Sequence, residues 1–69
     1  MTHQEFAKRF RALRTARGLS QSRAAQLLSV TAVTVWLWEK ARTMPWEPAD
    51  TLARLERSPV ESRKARGAA

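Results

Sequence analysis

The chain has 69 residues, no cysteine, three tryptophans and a net charge of +7. That length allows one domain with a small core, and without thiols neither a disulfide framework nor a thiolate metal site can supplement it. No apolar run approaches a membrane span and no signal peptide is visible, so the expected setting is the cytosol, in a compartment with nucleic acid.

Thr2-x-x-Glu5 has the form of a capping box, with Met1 and Phe6 at the spacing of a hydrophobic staple. A first helix is expected from there to about Arg17. Phe6, Phe10 and Leu13 recur at helical spacing, with Ala12 and Ala16 alongside, as one apolar stripe for the core. Gly18 is placed to end this helix in a left-handed cap, with Leu19 folding back as its hydrophobic partner. His3, the only histidine, falls on the first turn without companions and is expected in solvent.

Ser20 is a good N-cap for a second helix carrying Ala24, Leu27 and Leu28 at helical spacing, up to Ser29-Val30. Thr31 is a further N-cap, opening a third helix from Ala32 to Lys40. At eight and ten residues or so, both are too short to stand alone in water. They must pack together, and Ala25 is small enough to let them approach. Val35 and Trp38 lie three apart and can fill the space beneath. Residues 41–45 form a loop. Pro48 in a first turn and Asp50 near the positive end of the helix dipole open a fourth helix, with Ala49, Leu52, Ala53 and Leu55 as its buried face. Ser58-Pro59 stops it. Residues 59–69 have almost no apolar content and are expected to be a disordered basic tail, with Arg63, Lys64 and Arg66 read as a solvated end before phosphate contacts.

The charge is uneven. Lys8, Arg9, Arg11, Arg14, Arg17 and Arg23 face only Glu5 in the first third, the middle is balanced, and the tail is basic again. Such a stripe suits a polyphosphate partner better than plain solubilisation. The third helix has almost no polar face. Whichever side it buries, Trp or Leu is left outside, and an exposed patch of that kind normally marks a binding site.

Taken together, Gly18-Leu19-Ser20-Gln21, Ala24-Ala25, Leu27-Leu28, Val35, Trp38-Glu39 and Pro45 resemble the helix-turn-helix domain of the Cro/phage-repressor (XRE-like) family, over roughly residues 5–57. Within it, GLSQSRAAQLL and the short Pro-bounded last helix are similar to the very small anti-CRISPR-associated repressors. The resemblance implies an all-α, four-helix, lambda-repressor-like domain over residues 1–58. Two departures are Ser29, where the family most often has Gly, and Ala41, where Gly or Asn usually closes the recognition helix.

In that family the third helix enters the major groove of double-stranded DNA. The resemblance buries Val35 and Trp38, and turns Ala32, Val33, Trp36 and Leu37 outward. The usual readers there are Gln, Asn, Arg and Ser; here the apolar side chains can meet only thymine methyls, while Thr31 and Thr34 keep hydroxyls. Ser20, Gln21, Ser22 and Arg23 begin the second helix within reach of phosphates or a guanine, with Arg23 assigned a base or near-base role. Trp36 lies against the sugar-phosphate wall or is simply a partly covered aromatic. Family phosphate contacts map onto Arg14, Gln21, Lys40 and Arg42, helped by backbone amides at the starts of helices two and three. The family also pairs an arginine of the first helix with the glutamate after the recognition helix, here Arg14 with Glu39. Five or six phosphate contacts imply a log–log salt slope of about −5.

Family members generally dimerise on inverted half-sites, which implies a homodimer through Met44, Trp46, Leu52 and Leu55. Trp46 has the alternative of capping the core beside Pro45. The function expected is a sequence-specific transcriptional repressor autoregulating its own, anti-CRISPR-like, operon in a phage or mobile element. The competing reading is the same fold used as a protein-binding module. An enzyme is rejected: there is no cysteine or tyrosine, one terminal histidine, scattered acids and no Gly-rich phosphate loop. No cofactor, metal or small-molecule substrate is expected.

Overall fold

The computed structural model describes residues 1–58, so the expected tail, with Arg63, Lys64 and Arg66, lies outside the described residues. Four helices follow one another: α1 (His3–Ala16), α2 (Gln21–Leu28), α3 (Ala32–Glu39) and α4 (Pro48–Arg57). There is no strand among the described residues.

Local chemistry starts each of the first three helices. The Thr2 hydroxyl accepts the Glu5 backbone N–H at 3.0 Å, and the Glu5 carboxylate accepts the Thr2 N–H at 2.9 Å, a complete capping box. Ser20 caps α2 through the Arg23 N–H, and Thr31 caps α3 through the Thr34 N–H. α4 starts differently: its cap residue Glu47 makes no side-chain cap bond, and Pro48 presets the first turn.

The three helix ends before α4 share one geometry. Gly18, Ser29 and Ala41 all sit in the left-handed region, at φ 69°, 61° and 58°. In each case the next N–H donates five residues back: Leu19 to the Arg14 carbonyl, Val30 to Ala25 and Arg42 to Leu37, at 2.9–3.0 Å. This is the Schellman closure, met once by glycine and twice by a residue with a Cβ. α4 ends at Ser58, which is extended as a residue before proline prefers.

α1 packs on α3 and α4, and α2 packs on the same pair. The core holds Phe6 and Phe10 of α1, Leu19, Ala24, Ala25 and Leu28 around α2, Val35 and Trp38 of α3, and Leu55 of α4. Phe6 and Phe10 each meet the Trp38 ring edge-on, with centroids 5.6 and 5.5 Å apart. Such pairs add about 0.5–1.5 kcal/mol each beyond the area they bury. They hold α3 by its inner face.

Several expectations are corrected. Ala12 and Ala16 are exposed, and Ala7 is the alanine that α1 buries, because the stripe centres between Phe6 and Phe10. Ala49 is exposed, since α4 touches the core mainly through Leu55, with Leu52 packed at its edge. His3 is exposed, as expected.

Candidate nucleic-acid interface

Anchoring Val35 and Trp38 inward fixes what α3 shows outside. At roughly 100° per residue, the opposite face carries Ala32, Val33 and Trp36. Val33 is 66% exposed and Trp36 44%, while Leu37 is half-buried at the margin. A helix this apolar normally buries itself on all sides. Here the fold leaves one side of it open.

Charge borders the strip. The Lys40 ammonium lies over the Trp36 ring, 5.5 Å from its centroid, a cation–π contact at the negative end of the α3 dipole. Arg42 is exposed just beyond. At the other end, the Thr31 and Thr34 hydroxyl oxygens are 2.9 Å apart and share a hydrogen bond. The Trp36–Lys40 contact was readable from its i, i+4 spacing, but the sequence reading missed it.

Beneath this surface one carboxylate gathers three helices. Glu39 at the end of α3 accepts two N–H groups from Arg14 of α1, through Nε and Nη2, and one from Gln21 Nε2 of α2 at 3.2 Å. Arg14 also donates from Nη1 to the Leu19 carbonyl at 2.9 Å. The paired side chains are only 14% and 7% exposed. The bidentate geometry is the strong form of such a pair.

That placement sorts the expected site residues. The Arg14–Glu39 pair is present, and three of the five Arg14 N–H groups are engaged within the subunit, tying α1 to α3 and to the turn before α2. Gln21 is half-buried with its amide nitrogen on Glu39. Ser20 and Ser22 are exposed beside it, and Arg23 is exposed with Nη1 on Gln26 Oε1 at 2.9 Å. Thr31, Ala32, Val33, Trp36, Lys40 and Arg42 share the exposed surface, with Thr34 and Leu37 half-buried in it.

The expected dimer surface is corrected in part. Leu55 is wholly buried within the subunit and cannot meet a partner in this fold. Met44 and Leu52 already pack against the core. Trp46 is 95% exposed, so it does not cap the core beside Pro45. A further link went unforeseen: Arg17, counted only as surface charge, donates from Nη1 to the Ser58 carbonyl at 2.6 Å, tying the end of α1 to the end of α4.

Among the described residues no group of His, Cys, Asp or Glu gathers as a metal site, and no helix is long and apolar enough to cross a membrane. The fold and this exposed third helix define a class, and residues 5–65 match the helix-turn-helix domain family, to which the chain therefore belongs. No curated protein and no solved structure matches the chain. The family points to a DNA-binding regulator, with DNA as its partner.

Proposed function

We propose that the chain is a sequence-specific transcriptional repressor of the Cro/phage-repressor type. Residues 1–58 form its DNA-binding domain, and it acts in the bacterial cytoplasm by occluding a promoter. The observation that carries this reading is the exposed strip of Ala32, Val33 and Trp36, flanked by Lys40 and Arg42 and held from beneath by Val35, Trp38 and Glu39. α3 lies in the major groove. Lys40 and Arg42 engage the flanking phosphates, with amides at the starts of α2 and α3 adding donors. Arg23 stands at or near a base edge.

One helix in one groove covers too few base pairs for genomic selectivity, so two copies act on inverted half-sites about 34 Å apart. Trp46, with Met44 and Leu52 beside it, forms the contact between them. The similarity to small anti-CRISPR-associated repressors makes the gene's own operon the first target to test.

Fluorescence-anisotropy titration against the duplex upstream of the gene and a scrambled duplex, at two salt concentrations, decides the matter. Lys40 and Arg42 each neutralising one phosphate predict a log–log salt slope of about −1.8 per subunit and about −3.6 per dimer. Equal or absent binding to both duplexes refutes the repressor. The second reading, a protein-binding module, draws on the same open apolar face, and its complexes would be nearly insensitive to salt.

A further inference from the structure

We infer that α3 reads DNA through the 5-methyl groups of thymine and not through paired hydrogen bonds to base edges. The inference rests on the DNA-binding reading above and names the chemistry recognised at that surface.

Positions 32–37 are Ala, Val, Thr, Val, Trp and Leu. None can make the bidentate contacts by which Arg selects guanine or Asn and Gln select adenine. The hydroxyls beside them are largely committed. Thr31 Oγ1 accepts the Thr34 N–H at 3.1 Å and shares a hydrogen bond with Thr34 Oγ1, so one hydroxyl hydrogen remains between the two. The Gln21 amide nitrogen is on Glu39.

What remains outward is apolar. Val33 is more exposed than Trp36, and as a β-branched residue in a helix it holds its methyls nearly fixed. Major-groove edges offer one apolar group, the thymine methyl. Ala32 and Val33 sit in the first turn of α3, the part of a recognition helix that approaches base edges. Lys40, parked over Trp36, borders the strip one to two turns further on, where a phosphate contact fixes register.

Exchanging thymine for uracil removes the methyl and leaves every hydrogen-bonding group of the base pair in place. Each methyl buried against Val33 or Ala32 is worth about fourfold in affinity, so two give roughly 15-fold.

The test begins with selection of a random-sequence duplex library by the full chain. The enriched duplex is then resynthesised with deoxyuridine for thymine, one position at a time, and titrated by anisotropy beside a scrambled duplex. We expect losses of about fourfold at one or two thymines, no loss on the scrambled duplex, and a thymine-to-uracil ratio moving toward one in Val33→Ala. An enriched duplex that binds equally well in both forms, yet better than the scrambled one, overturns methyl reading and leaves the DNA-binding reading standing. Failure to enrich or bind any duplex overturns both, and turns the apolar strip toward a protein partner.

Discussion

Ser29 and Ala41 offer a sharp test of how the helices are closed. Both occupy the left-handed region that Gly18 occupies at the end of α1, with the same pair of closing hydrogen bonds. A Cβ there costs about 1–2 kcal/mol. Glycine removes that cost and returns about 0.4–1 kcal/mol through the greater freedom of its unfolded chain. Ser29→Gly and Ala41→Gly should therefore each stabilise the domain by about 0.5–1 kcal/mol. The two sites flank an eight-residue helix, about 12 Å long at its usual rise, so their effects should add. For a domain of this size, each kcal/mol moves Tm by about 4–8 °C. Urea and thermal unfolding followed by circular dichroism read both quantities, with an unchanged urea slope showing that stability has changed without a change in the surface exposed on unfolding. Gly18→Ala is the mirror experiment and should destabilise by a similar amount. If either glycine variant lowers the midpoint, or Gly18→Ala costs nothing, left-handed strain is not what these positions hold.

Glu39→Gln leaves a mostly buried Arg14 guanidinium without its carboxylate and should cost about 2–3 kcal/mol in urea unfolding, below the 3–5 of a fully buried pair. A cost under about 0.5 kcal/mol would show that the pair is only a surface contact. Leu55→Ala should cost about 2–5 kcal/mol as a core cavity; a near-neutral result accompanied by loss of self-association would return it to an interface. Trp46→Ala should leave unfolding within about 0.5 kcal/mol of the parent, since its side chain lies in solvent, while shifting sedimentation toward the monomer. The Glu5 carboxyl is held below its ordinary value first by the Thr2 backbone N–H; desolvation opposes this, and the chain's amino terminus, Arg9 and the Thr2 side chain add to the lowering. A lowered pKa in the fold means that the contribution is present above the ordinary carboxylate range and lost as pH falls through the lowered value. Amide exchange in the first turn of α1 should accelerate there relative to α3, and Glu5→Gln should flatten that pH dependence.

What could be read from the chain was what neighbours in sequence decide. The Thr2–Glu5 box, the Ser20 and Thr31 caps and the Gly18 closure each need only a few adjacent residues, and all are present. Faces with a large aromatic or β-branched residue were also legible, because Phe6, Phe10, Val35 and Trp38 leave little choice about which side is buried. Alanine carries no such signal: Ala7, Ala12, Ala16 and Ala49 differ in burial only through the helix that happens to lie opposite. By sequence Leu55 fits both the buried face of α4 and a surface free for a partner, and only the packing of α1 and α2 on that helix decides for the first. Partners 25 and 41 residues apart lie beyond any local pattern: the Arg14–Glu39 pair is reached only through the family resemblance, and the Arg17–Ser58 link is not reached at all.

The arrangement around Glu39 divides the labour of α3 along its circumference. The main fastenings of the helix to its neighbours sit at residues 35, 38 and 39, and its fully exposed positions are 32, 33 and 36, with 34 and 37 at the margin. The displayed positions can therefore be rewritten with little effect on folding, since exposed substitutions usually fall within about 0.5 kcal/mol. A lineage carrying this domain can change its target without first acquiring a stability reserve. A designer can likewise randomise those three codons in a library and expect most members to fold.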